Sequence, residues 1–190
     1  MTAFRPERQE TRRGAKPVEE RRSIVVRFCG DSGDGMQLAG SQLTFTSALA
    51  GNDVATFPDY PAEIRAPRGS LAGVSGFQVQ FAADKVMTPG DEVDALVAMN
   101  PAALKENLHW LKPGETLIAD DDAFDARGLR QAGYETNPLE DGTLAAWHVL
   151  RAPVTSMTKA AVAETGLGRK PAEQCRNFFA LGLEIGRAHV

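Results

Sequence analysis

The stretch that most restricts what this chain can fold into is a short apolar run that empties straight into glycines. Ile24-Val25-Val26-Arg27-Phe28 is β-branched and apolar around a single arginine, the pattern of a strand buried in a sheet. It passes into Cys29-Gly30-Asp31-Ser32-Gly33-Asp34-Gly35 and then into a helical pattern over residues 36–50, stopped by Gly51-Asn52. Strand, glycine turn and helix in that order open a unit of alternating strands and helices.

The alternation continues. Residues 53–57 read as a second strand, 58–70 as a proline-rich loop and 71–81 as a third strand. In that third strand Phe77, Val79 and Phe81 alternate with Gln78 and Gln80, which implies one polar face and an antiparallel or edge position. Residues 93–99 form another apolar strand. Asn100 is then a suitable N-cap and Pro101 a pre-set first residue for a helix ending near Leu111. Lys112-Pro113-Gly114 reads as punctuation, residues 116–119 and 146–151 as strands, 156–164 as a helix, and a last helix begins near Pro171-Ala172. Strands alternating with helices predict a three-layer α/β/α sandwich, Rossmann-like, with a mostly parallel but mixed sheet.

Composition bounds the rest. A chain of 190 residues with 43% hydrophobic and 24% charged residues holds one domain with a real core. Residues 1–22 differ, with seven basic side chains against four acidic ones and few large apolar groups, and read as a disordered tail. The remainder carries 14 basic and 21 acidic residues, which argues against a nucleic-acid groove. No apolar run approaches the roughly 20 residues of a membrane helix. Two cysteines, Cys29 and Cys175, make neither a disulfide framework nor a four-thiolate metal site, and a reducing cytoplasmic location follows. The three histidines, His109, His148 and His189, assemble into nothing. The run Asp120-Asp121-Asp122 with Asp125 reads as a solvated, helix-capping loop, and Cys29 as a packed small residue.

Three loops are candidates for chemistry. Gly30, Gly33 and Gly35 permit positive φ and close approach to a ligand, and the helix N-terminus behind them suits phosphate. Their spacing, G-x-x-G-x-G, is not the dinucleotide fingerprint, and no Gly-Lys-Ser/Thr follows. Asp31 and Asp34 sit badly beside bare phosphate unless they face solvent, cap the helix or meet a cation. A tight strand-to-helix turn without a ligand explains the same residues. The second loop brings Tyr60, Glu63, Arg65 and Arg68 together after a strand's carboxyl end, where open α/β sheets bind ligands. Arginine there suits phosphate or carboxylate, and surface charge is the competing reading. The third candidate, Asn100, reads first as a cap.

The run Arg27-Phe28-Cys29-Gly30-Asp31-Ser32-Gly33-Asp34-Gly35-Met36-Gln37-Leu38 resembles the 2-oxoacid:ferredoxin oxidoreductases. So do Ala55-Thr56-Phe57-Pro58-Asp59-Tyr60-Pro61-Ala62-Glu63-Ile64-Arg65-Ala66-Pro67 and Ala72-Gly73-Val74-Ser75-Gly76-Phe77-Gln78. Val97-Ala98-Met99-Asn100-Pro101 and Cys175-Arg176-Asn177-Phe178-Phe179-Ala180-Leu181-Gly182-Leu183 extend the likeness. It is closest to the N-terminal gamma domain of a 2-oxoglutarate:ferredoxin oxidoreductase alpha subunit, and it implies a gamma-type domain over residues 23–183. It further implies a part in converting a 2-oxoacid to acyl-coenzyme A, with electrons passing to ferredoxin.

Within the family the gamma domain is associated with coenzyme A and with packing against thiamine-binding domains. Coenzyme A is then the expected ligand of Gly30, Asp31, Ser32, Gly33, Asp34, Gly35, Tyr60, Glu63, Arg65, Arg68 and Asn100. Thiamine diphosphate, Mg2+ and the iron–sulfur cluster are expected in the rest of the alpha subunit and the beta subunit, so the domain has no catalytic residue and no activity alone. The alternatives are a non-enzymatic subunit-interaction domain and a nicotinamide-dependent Rossmann oxidoreductase. Residues 184–190, Glu184-Ile185-Gly186-Arg187-Ala188-His189-Val190, depart from the family pattern and read as a translated sequencing adapter.

Overall fold

A computed structural model describes residues 20–61 and 73–188. The strands are β1 (Ser23–Asp31), β2 (Asp53–Asp59), β3 (Val74–Ala82), β4 (Val93–Ala98), β5 (Leu111–Asp120) and β6 (His148–Ala152). The helices are α1 (Met36–Leu49), α2 (Pro101–Asn107), α3 (Ala126–Gln131), α4 (Val154–Ala161), α5 (Arg169–Gln174) and α6 (Arg176–Ala188).

The strands form one sheet in the order β2-β3-β1-β4-β5-β6. β1, β4, β5 and β6 run parallel, while β3 lies antiparallel between β1 and β2. Side chains of β1 alternate between two apolar layers. Val26 and Phe28 pack with Met36, Ala39 and Leu43 of α1, Val154 of α4 and Ala180 and Leu181 of α6. Val25 and Cys29 join Ala103 and Leu104 of α2 on the other face, with Leu129 of α3 at the edge of that layer. Both faces of the central strands are therefore covered, which is why they read as unbroken apolar runs rather than alternating ones. The predicted three-layer mixed α/β architecture holds.

Several local expectations need correction. β3 is antiparallel as its pattern suggests, but it is interior, and β2 holds the edge. Gln78 does not face water: it is buried and donates to the carbonyls of Pro89 and Gly90, at 2.9 and 2.6 Å, while Gln80 is partly exposed. Lys112-Pro113-Gly114 lies inside β5, with Gly114 at φ 84°, where the pairing with β4 shifts register. The short helix α3 has no counterpart in the predicted pattern. The last predicted helix is two, α5 and α6, divided at Cys175. Residues 1–19 of the expected tail fall outside the described residues. Of its last three, Arg21 pairs with Glu115 and Arg22 with Asp84.

The one charge in β1's apolar run is the most demanding feature of the sheet. Arg27 is 3% exposed. Its Nε donates to Asn107 Oδ1 at 2.7 Å, its Nη1 to Gln78 Oε1 at 3.4 Å, and its Nη2 pairs with Asp59. The guanidinium carbon also lies 5.8 Å from the Trp110 ring centroid. Gly76, two residues along β3 from Arg27's partner Gln78, has no room for a side chain while the guanidinium sits here, since a Cβ would stand 2.9 Å from Nη2.

Replacing this cation leaves buried oxygens on Asn107 and Gln78 without a donor, while Asp59 is partly hydrated. We therefore expect Arg27→Met to cost about 3 kcal/mol. The measurement is the urea midpoint, which should fall by roughly 1.5 M at an ordinary denaturant dependence.

Candidate functional site at the carboxyl edge of the sheet

The carboxyl ends of β1, β4, β5 and β6 share one edge because those strands are parallel. From β1 the chain moves outward through α1 to β2, and it later returns to place β4 on β1's other side. α1 and α2 consequently cover opposite faces, and the crevice between them is a topological switch point. The glycine loop lies there. Asn100, at the end of β4, donates from Nδ2 to Asp31 Oδ1 at 2.8 Å across this crevice. Tyr60 follows the last residue of β2 on the same edge and is 68% exposed; β2 stands two strand spacings, about 10 Å, from β1. Glu63, Arg65 and Arg68 fall outside the described residues.

The three glycines do different things, and only Gly35 has positive φ, at 74°. Gly30 makes room for its own loop, because a Cβ there would meet Asp34 Oδ2 at 2.8 Å and Met99 Cβ at 3.1 Å. Gly35 faces Asn177, whose Nδ2 would lie 2.4 Å from an added Cβ and donates to the Gly35 carbonyl at 3.3 Å. Gly33 alone among them meets nothing within 4 Å. It is exposed together with Asp31 and Ser32.

Asp34 answers the question its charge raises. Its Oδ2 accepts from the Asp31 N–H at 3.0 Å, and its Oδ1 pairs with Arg176 of α6 at 2.5 Å. Burial pushes the Asp34 carboxyl above its ordinary value, partly opposed by Arg176. Arg176 also donates to Thr155 Oγ1 at 3.3 Å, and Thr155 donates to Asp120 Oδ2 at 2.8 Å. Burial raises the Asp120 carboxyl too, against those Thr155 hydrogen bonds. Arg176 and Asn177 lie in a stretch that the sequence marks only by family likeness. Nothing in their spacing ties them to residues more than a hundred positions earlier.

The other helix starts on this edge are occupied. Asn100 Oδ1 accepts from the Ala103 N–H of α2 at 2.8 Å, and Asp125 Oδ1 from the Gly128 N–H of α3 at 2.7 Å. Asp120 and Asp122 accept from the N–H groups of Thr155 and Ser156 at the start of α4, at 3.3 and 2.6 Å. The capping readings of Asn100 and Asp125 are thereby borne out, but the aspartate run is not a solvated loop throughout: Asp120 is buried and bonded to Thr155. α1 starts from Gly35 with no side-chain cap. On its sheet side, Gln37 Nε2 donates to the Gly76 carbonyl at 2.8 Å and to Ser75 Oγ at 3.1 Å.

Residues 25–189 match the family model described as pyruvate ferredoxin/flavodoxin oxidoreductase. The chain belongs to that family. It is 49% identical over 179 residues to the 2-oxoglutarate oxidoreductase subunit KorA of Mycobacterium tuberculosis, covering 94% of this chain and 27% of the relative. The chain thus spans about a quarter of the curated relative it matches.

Two solved structures share the fold. One is a 2-oxoglutarate:ferredoxin oxidoreductase from Magnetococcus marinus with 2-oxoglutarate, coenzyme A and succinyl-CoA bound. Its TM-score is 0.57 at 19% identity, covering 90% of this chain and 32% of that one. The other is a keto/oxoacid ferredoxin oxidoreductase gamma subunit from Geobacter sulfurreducens, with TM-score 0.52 at 20% identity, covering 87% and 98%. No helix among the described residues is long and apolar enough to cross a membrane.

Cys29, at the mouth of the loop, is packed as expected. Its Sγ donates to the carbonyls of Val97 at 3.2 Å and Ala103 at 3.6 Å, and burial pushes the thiol up to about 12. At pH 8 an alkylating reagent should label Cys175, which is partly exposed, and spare Cys29 until the chain is unfolded. Mass spectrometry before and after denaturation reads this directly. The raised thiol also sets a sign: its contribution to stability is whole below the ordinary thiol value of 9.0 and drains away as pH climbs toward 12.

Proposed function

We propose that this chain is the gamma-type part, over residues 23–183, of a 2-oxoglutarate:ferredoxin oxidoreductase (2-oxoglutarate synthase) alpha subunit in the cytoplasm. In that reading it works with the thiamine-binding part of the alpha subunit, a beta subunit and ferredoxin. It contributes the coenzyme A side of the oxidative decarboxylation and has no turnover alone. The observation that carries the coenzyme A assignment is the glycine loop's place at the switch point, with Gly33 open and α1 uncapped behind it.

The loop offers exposed backbone at Ser32 and Gly33 and the positive end of a helix to a phosphate. Asp34 does not oppose such a guest, because Arg176 already neutralises it. Tyr60, with Glu63, Arg65 and Arg68 beyond it in the chain, would meet the more distant parts of so long a ligand. The residues present do not suit the other cofactors. Gly33-Asp34-Gly35 resembles part of a thiamine-site metal motif, yet the Asp34 oxygens are taken by Arg176 and the Asp31 N–H. Cys29 is too deeply packed to be a cluster thiolate. Thiamine diphosphate, Mg2+ and the iron–sulfur cluster therefore belong to partner domains in this reading.

A subunit-packing role is favoured by α1 itself. Its 14 residues include no charged side chain, and Leu38, Phe45 and Leu49 leave it 47%, 60% and 72% exposed. Packing and ligand binding are compatible, and a pure interaction domain is the second reading.

Gly33→Val separates them. Its side chain enters open space, so the thermal midpoint of the chain should not move. In the assembled enzyme the KM for coenzyme A should rise about tenfold, the loss of one phosphate contact of roughly 1.4 kcal/mol. Arg65→Ala and Arg68→Ala should act in the same direction. If assembly weakens while coenzyme A affinity stays intact, the interaction-domain reading replaces this one.

A further inference from the structure

The glycine loop is not shaped by its own residues. A seven-residue segment holding three glycines has little local preference, and its conformational freedom is costly to remove. What holds it comes from the far end of the chain. Arg176 and Asn177, the first two residues of α6, reach 142 positions back to Asp34 and Gly35. Arg176 is braced from behind by Thr155 on α4, itself fixed to Asp120 at the end of β5. Asn177 is 3% exposed, and its amide fills the volume a Gly35 side chain would need. On the opposite flank Gln37 ties the start of α1 to the Gly76 carbonyl and Ser75 of β3.

We infer that Arg176 and Asn177 are positioning residues that clamp the glycine loop in its open-faced shape. They grip Asp34 and the Gly35 carbonyl from inside and leave Gly33 presented to solvent. The division of labour follows from reach. Asp34 turns inward to Arg176, so its charge is withdrawn from the exposed rim. The left-handed turn at Gly35 is then locked between Asn177 and the first turn of α1. Without the guanidinium, Asp34 would be a buried carboxylate with one backbone donor. It would swing outward, carrying the loop with it and adding a second negative charge to a rim where Asp31 is already exposed. The clamp is a property of the chain by itself; only its effect on coenzyme A rests on the function proposed above.

The experiment is hydrogen exchange on the 190-residue chain, resolved to peptides, for Arg176→Ala, Arg176→Lys and Asn177→Ala. Arg176→Ala should speed exchange of the amides of residues 32–37 about tenfold, with β1 and β4 amides unchanged. Arg176→Lys, which keeps the charge but not the fork, should recover part of the protection. Unchanged loop exchange overturns the clamp. So does uniform acceleration across the sheet in both the Lys and Asn177→Ala variants, since that marks plain loss of stability.

A second readout is taken on the assembled oxidoreductase. There the KM for coenzyme A should rise about tenfold, with kcat at saturation within about twofold of the parent. Faster loop exchange with an unmoved KM keeps the clamp and removes the coenzyme A reading from this loop.

Discussion

A guanidinium in the middle of the sheet organises the half of the molecule on which the candidate site depends. Arg27 stands in the central strand with almost no access to water. Such a charge persists only where every donor finds an acceptor. Asn107 brings in α2, Gln78 brings in β3, and Asp59 brings in the end of β2. β3 must therefore lie beside β1 with its polar face inward, and Gly76 must be bare. The same Asp59–Gly76 corner receives Gln37 at the start of α1. The residues that meet Arg27 thus also lend their backbone carbonyls to the first turn of the glycine loop's helix.

The site edge follows a similar economy of polar groups. α2, α3 and α4 start there with early N–H groups met by side-chain oxygens, and α6 starts there with Asn177 Oδ1 accepting from the Phe178 N–H. α1, by contrast, starts with no side-chain cap. Carboxylates are gathered along this edge, and most are turned to a cation, a hydroxyl or a backbone N–H, while Asp31 stays exposed on the glycine loop with the Asn100 amide on its Oδ1. Asp34 faces Arg176, Asp120 faces Thr155, Asp121 faces Arg151, and Asp122 faces Ser156. In this way the glycine loop presents one carboxylate, Asp31, rather than two beside the open Gly33.

Much of this was legible in the order of residues. The apolar run of β1, the glycine turn, the Asn100-Pro101 helix start and the capping aspartates all rest on interactions within a few positions. Periodicity and capping chemistry report such interactions well. The errors share a cause. Gln78 and Gln80 alternate as though one side of β3 met water, because a pattern of polar residues does not say that Gln78 meets buried Arg27 while Gln80 stays partly exposed. Lys112-Pro113-Gly114 has the composition of a turn, yet neighbouring strands absorb it as an irregularity in β5. α3 is too short to show a helical period. The break at Cys175 separates two helices of continuous helical composition.

By itself, then, the sequence determined the layered α/β class, the strand–glycine–helix unit and the family to which that unit belongs, because these depend on local pattern and on long ordered motifs. The tertiary structure decided which glycine is open, which charge is neutralised and what holds the loop. Those outcomes turn on contacts between residues 27 and 107, 34 and 176, or 35 and 177, which no spacing rule connects. Only a folded sheet brings a helix start at residue 176 against a turn at residue 34. The physical reason is distance along the chain. Electrostatics and packing act through space, and the sequence states adjacency only along the backbone.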